Sequence, residues 1–127
     1  MSLTAPQIAI CTIGIFHIAI MTGELCPWKR PWIMARVLEK WPKPLNLSVN
    51  DAQLVAAIVH NAGIYNGIVG GGLIATASVG PSSFCVQVSL LAGGVVAGLF
   101  GAKTLSLVTI GQAILGVIAL LIVVCYR

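Results

Sequence analysis

Acidic side chains are almost absent from this sequence, with three Asp and Glu in 127 residues against seven Lys and Arg. Charged residues of both signs reach only 8%, where a water-soluble domain carries about 25%. A chain so poor in charge has no surface to turn toward water on every side, which excludes an ordinary soluble enzyme or binding module. Aromatic residues are also scarce, at 6%. Five of the seven basic residues, Lys29, Arg30, Arg36, Lys40 and Lys43, gather in one loop. No basic track interleaved with aromatics is left for a nucleic-acid strand. The cysteines Cys11, Cys26, Cys85 and Cys125 form no CxxC pair, which argues against paired-thiol redox chemistry. There is no metal-ligand spacing, and the glycines at 70–72 lack the Lys-Ser/Thr ending of a phosphate loop. No metal and no cofactor is expected.

Hydrocarbon fills the chain instead. Apolar residues make up 58%, and the mean hydropathy is +1.02. They fall in four runs, 6–25, 51–76, 84–102 and 105–126. Each is near the ~20 residues that cross the ~30 Å hydrocarbon core of a bilayer as a helix. The length leaves room for one domain, residues 1–127. No basic stretch precedes the first run, as a signal peptide would require. Ser48, Asn50 and Asp51 supply N-cap chemistry for the second run, and Gly80, Pro81, Ser82 and Ser83 make a polar turn after it.

Between the first two runs, segment 27–44 holds Trp28, Trp32 and Trp41 with Pro27, Pro31, Pro42 and Pro44 as breakers. Ile33, Met34, Val37, Leu38 and Trp41 recur at helical spacing, with Arg36, Glu39 and Lys40 on the other side. That pattern predicts a short amphipathic helix lying in the membrane interface. The expected fold is an all-α membrane protein, an antiparallel four-transmembrane-helix bundle with this interfacial helix between spans 1 and 2. The positive-inside rule places the basic loop 27–44 in the cytoplasm and both termini on the opposite side, in plasma membrane or endoplasmic reticulum alike.

The second run carries more polarity than a lipid-facing helix needs. Its stretch 60–73 holds His60, Asn61, Tyr65 and Asn66, and an unpaired polar group in hydrocarbon costs several kcal/mol. Gly63, Gly67 and Gly71 make two overlapping GxxxG frames, and Gly98 and Gly101 offer close packing in the third run. In the first run, His17 and Glu24 share a face, separated by about 10 Å along the axis. If the first two helices meet the inner interface near residues 25 and 51, residues whose numbers sum to about 76 share a depth. His17 then lies level with 59–61, and Glu24 with Ala52 and Gln53. Asn61 and Tyr65 are an i, i+4 pair on the side of His60, whereas Asn66 points beside Gly63 and Gly67.

Burial disfavours the charged form of both a carboxyl and an imidazole, so Glu24 and His17 suit proton transfer near neutral pH. The expected catalytic groups are therefore Glu24 and His17, with Asn61, Tyr65, His60 and Trp28 binding substrate. Asn66, Gly63, Gly67, Gly71, Gly98 and Gly101 are expected to pack helices. Plainer readings stand beside each of these. Glu24 can pair with Lys29 or Arg30 at the interface, and the other polar groups can serve as hydrogen-bonding glue between helices.

These motifs have a pattern in common with a known group. His17, Glu24 and Trp28 match a first-helix His followed by a Glu with a Trp four residues beyond it. Asn61, Gly63, Tyr65, Asn66 and Gly67 match a central A-N-Q-G-x-Y-N-G block. Ala97, Gly98, Gly101 and Thr104 match A-G-x-x-G-x-x-T, with Gln112 downstream. Over nearly its whole length the chain resembles domain-of-unknown-function family thirteen-oh-four, small four-span integral membrane proteins. It departs from that pattern at Phe16, where an acidic residue is common, at Ala62, which replaces the Gln, and at His60, where a small residue is usual. The resemblance implies fold and membrane placement and brings no activity with it.

The first expectation for function is binding of a lipophilic small molecule in an intramembrane polar pocket between spans 1 and 2. Cofactor-free isomerisation, cyclisation or epoxide opening is the chemistry such a pocket permits. One alternative is a proton-coupled small-molecule exporter working as a homodimer. Another is an accessory subunit whose glycine stripes pack against a larger membrane partner.

Overall fold

The computed structural model describes residues 2–30, 32, 48–104 and 109–126. Helix α1 spans Ala5–Leu25 and is followed by a 3-10 turn, Pro27–Lys29. Helix α2 spans Val49–Val79, a second 3-10 turn covers Gly80–Ser83, and α3 and α4 span Phe84–Thr104 and Ile110–Cys125. No strand occurs among the described residues, so the all-helical expectation holds. Most of the amphipathic segment 27–44 lies outside the described residues. Within it the structure gives the 3-10 turn and an exposed Trp32. Two continuous stretches, Ala5–Leu25 and Val49–Lys103, are long and apolar enough to cross a membrane, and Ile110–Cys125 is a shorter apolar helix.

The helix ends follow local chemistry. Asp51 Oδ2 accepts from the backbone N–H of Ser48 at 3.1 Å and from its hydroxyl at 2.7 Å. Ser48 Oγ in turn accepts from the Asp51 N–H at 3.1 Å. This reciprocal box satisfies donors that the first turn of α2 would leave open. At the start of α1, Gln7 Oε1 accepts from the Thr4 N–H at 2.9 Å and from the Thr4 hydroxyl at 3.1 Å. Helix α2 ends at Gly80, whose φ of +79° is the left-handed conformation that favours glycine.

The carbonyls released at that end are collected by α3 and the turn. Ser83 Oγ lies 2.9 Å from Thr76 O and 2.7 Å from Gly80 O. Gln87 Nε2 donates toward Thr76 O at 3.0 Å, Gly80 O at 3.3 Å and Ser83 Oγ at 2.8 Å.

The described helices fall into two compact units, Met1–His17 with Val69–Arg127, and Ile18–Ile68. In the first, Ile10 and Ile13 of α1, Leu73 and Ala77 of α2, Leu91 of α3, and Ala119 and Val123 of α4 form one buried core. Neighbouring segments run antiparallel and approach at glycines. A Cβ built on Gly14 would lie 2.7 Å from Ile74 and 2.9 Å from the carbonyl of Gly70. One on Gly98 would lie 2.6 Å from the backbone nitrogen of Ala113, and one on Gly116 2.8 Å from Val95. Gln112 Nε2 reaches the carbonyl of Gly94 at 3.3 Å, and Gln7 Nε2 that of Ala77 at 3.1 Å. Side-chain amides thus tie helix to helix where the backbones are close.

In the second unit, residues of α1 after His17 lie against α2. A Cβ on Gly67 would lie 2.5 Å from Met21 Sδ, and one on Gly63 would lie 3.1 Å from Leu25 and 3.2 Å from Glu24.

Two substitutions on α3 separate packing from helix propensity. Gly98→Ala meets backbone that cannot step aside and is expected to destabilise by about 1–3 kcal/mol. Gly93→Ala meets nothing within 4 Å and should be neutral or stabilising by up to about 1 kcal/mol, the helix preference of Ala over Gly. Unfolding in a mild detergent titrated with a denaturing one measures both. Ser48→Ala removes the cap of α2 and should cost about 1 kcal/mol in the same assay.

Candidate functional site

The polar centre of the second unit is a carboxylate–carboxamide pair. Asn66 Nδ2 donates to Glu24 Oε2 at 2.8 Å and to the carbonyl of Ala62, one turn back on its own helix, at 3.2 Å. Two acceptors facing the same nitrogen fix which end of the amide meets the carboxylate. Glu24 and Asn66 are both half-buried. The approach is possible because Gly63 and Gly67, one turn apart on either side of Asn66, present no side chain to α1.

This register corrects the one expected from sequence. Residues of α1 and α2 whose numbers sum to about 88 meet here, against about 76 from equal entry depths. Glu24 therefore lies against Gly63 and Asn66, and not level with Ala52 and Gln53. The physical reason is length. Helix α2 has 31 residues and α1 has 21, and about four turns of α2 precede its contact with the end of α1 at Gly63.

The remaining predicted residues are distributed as follows. His17 belongs to the first unit and is 2% exposed, with a Cβ on Gly94 placed 3.1 Å from its Nε2. Gly94 is thus the position that makes room for the imidazole, and the Phe16 ring meets it edge-on at 6.4 Å between centroids. Asn61 and Tyr65 are exposed, Tyr65 by 63%. Neither is enclosed by the described residues of its own unit. His60 is half-buried, and its Nε2 is enclosed with no hydrogen-bond partner among the described residues. Trp28 lies in the 3-10 turn Pro27–Lys29, and its side chain falls outside what is described.

The glycines divide in the same way. Gly63 and Gly67 pack against α1, while Gly98 and Gly101 pack against Ala113 and Thr109. Gly71 is the exception. A Cβ there would meet nothing within 4 Å, so its predicted packing role finds no neighbour among the described residues.

The structure adds two residues that the expected site leaves out, Gln7 and Gln87. Their signal was position, since each stands one turn into a helix whose neighbour ends in unsatisfied carbonyls. Among the described residues no three His, Cys, Asp or Glu side chains come together as metal ligands would.

Comparison with protein families matches residues 11–124 to a family described as "Protein of unknown function (DUF1304)", the group that the motifs around His17, Asn61 and Gly98 resemble. No curated protein and no solved structure matches the chain. With nearly all of its length covered by the match, the chain belongs to the DUF1304 family.

Proposed function

We propose that this is a four-span integral membrane protein that binds a lipophilic small molecule and isomerises it by proton transfer through Glu24. Membrane placement is supported by where the apolar side chains point. Only 22% of an 18-residue apolar window in the first candidate stretch, and 28% of one in the second, is buried within the chain. Ile58, Val96, Phe100 and Leu121 are each more than half exposed, on three different helices. So much exposed hydrocarbon exceeds the patches that soluble monomers tolerate. The exposed hydroxyls of Thr12 and Thr22 each donate to the carbonyl four residues back, as they do where no water is at hand. The Gly80 turn folds α3 back on α2, so Val49–Lys103 supplies two spans. With α1 and α4 the count is four, and the basic loop 27–44 is cytoplasmic.

The observation that carries the chemistry is the hydrogen bond from Asn66 to Glu24 beside two glycines. Among the described residues Glu24 is the one carboxyl set inside an apolar helix, since Asp51 is exposed at a helix start. A positioned carboxylate can take a proton from one carbon of a ligand, exchange it with solvent and deliver one to another carbon, so substrate and product have the same composition. Asn66 holds one carboxylate oxygen and orients the other, which is a positioning role. His17 remains a candidate proton carrier in its own unit.

The outward-facing Asn61 and Tyr65 favour a second reading. Two exposed polar groups one turn apart on an apolar helix suit the association of two copies, which the dimeric proton-coupled exporter requires. Uptake into liposomes driven by a pH gradient would select that reading over catalysis.

Topology can be read from the native thiols, because Cys26 and Cys125 are exposed at opposite ends of the predicted spans. A membrane-impermeant maleimide applied to intact cells should label Cys125 and reach Cys26 only after permeabilisation. Equal labelling of both from outside contradicts four spans with a cytoplasmic loop. For the chemistry, the purified protein is incubated in D2O with a total lipid extract of its host, and products are followed by mass spectrometry. A same-composition isomer carrying one deuterium should appear. Glu24→Gln should slow it by about 100-fold or more, the usual range for a lost acid–base group. Full activity in folded Glu24→Gln protein removes Glu24 from the mechanism.

A further inference from the structure

A cavity of about 380 Å³ lies in the first unit, away from Glu24 in sequence, where the start of α1, the Gly80 turn and the end of α4 come together. Ile10, Phe84 and Val123 give it apolar walls, while Gln7, Gln87 and Tyr126 supply its polar groups. The volume falls within the range of about 300–1,000 Å³ typical of small-molecule sites. Among the described residues no charged side chain lines it.

Gln87 points to a ligand. Its side chain is 5% exposed, and its Nε2 is committed to Thr76 O, Gly80 O and Ser83 Oγ. Three acceptors around one nitrogen fix the amide orientation. They leave Oε1 with no donor among the described residues, on a side chain that lines the cavity. Gln87 Oε1 is thus available to accept a hydrogen bond from a molecule in the cavity. Gln7 adds a second amide at the same wall, its Oε1 taken by Thr4 and one of its two N–H groups by Ala77 O.

We infer that this cavity binds a neutral, hydroxyl-bearing lipid-like molecule, whose O–H donates to Gln87 Oε1 while its hydrocarbon fills the space between Ile10, Phe84 and Val123. A deprotonated carboxylate head has no O–H to give to Gln87 Oε1 and meets no cation among the described residues. A plain hydrocarbon leaves Oε1 unpaired. A phospholipid head brings a phosphate to a lining that offers no charged side chain among the described residues. This site is independent of the isomerase reading. It uses no group of the second unit, and it stands or falls without Glu24.

The test is photolabelling of the full chain in micelles with a long-chain primary alcohol carrying a diazirine near its tail. Its methyl ether, which can accept a hydrogen bond but not donate one, is the control at the same micellar concentration. The alcohol should label Ile10, Phe84 or Val123 at least tenfold more than the ether. Val123→Phe, which fills the cavity and leaves Gln87 untouched, should suppress that labelling by a similar factor while labelling of outward residues such as Phe100 is unchanged. Glu24→Gln should leave it unaltered. Equal labelling by alcohol and ether overturns the inference, as does labelling that Val123→Phe does not reduce.

Discussion

Close approach of helix backbones is the constraint on which the rest of this structure depends. In the membrane placement proposed above, helices gain little from hiding hydrocarbon, so association rests on van der Waals contact and on hydrogen bonds that become reachable at short range. Glycines supply that range here. Gly14, Gly98 and Gly116 seat α1 and α4 on their neighbours, and Gly63 and Gly67 let the end of α1 settle on α2. Each close approach has a polar reach beside it. Gln112 meets Gly94, Gln7 meets Ala77, and Asn66 meets Glu24. A larger residue at these glycines would push the backbones apart and leave each amide short of its acceptor.

The Glu24–Asn66 pair differs from the other two contacts in one respect. Gln7 and Gln112 donate to backbone carbonyls, which are neutral and fixed in number. Asn66 donates to a carboxyl, which can gain or lose a proton, and the strength of the bond changes with that state. The same packing that serves stability elsewhere thus places a titratable group under the control of a neighbour. This distinction separates a site capable of chemistry from polar glue, and it rests on the identity of a single acceptor.

Much of the fold was legible in the sequence because its signals are local. Apolar runs of the right length gave the helices, Ser48 with Asp51 gave the start of α2, and Gly80 with Pro81 marked its end. The pairing of helices was not legible in the same way. Equal entry depth for α1 and α2 was a reasonable geometric assumption, and it failed because the turns before Asn61 run on past the end of α1. The error carried Glu24 away from Asn66. His17 is buried against Gly94 within its own unit, and Asn61 and Tyr65 are exposed. Side-chain periodicity shows which residues share a face, but register depends on where close packing begins, and the glycines at 63 and 67 held that information. Gln87 was harder still, since its role follows from carbonyls released by a turn that only the folded chain brings to it.

The proton-handling role proposed for the Glu24–Asn66 pair is tested most directly by a double-mutant cycle read out as the initial rate of solvent-deuterium incorporation into product. If Asn66 acts by positioning Glu24, Asn66→Leu slows the wild-type reaction but adds no further loss to Glu24→Gln, because residues that act as a unit are not additive. Losses that multiply, or an Asn66→Leu protein as fast as wild type, would contradict a carboxylate held for catalysis by its carboxamide partner.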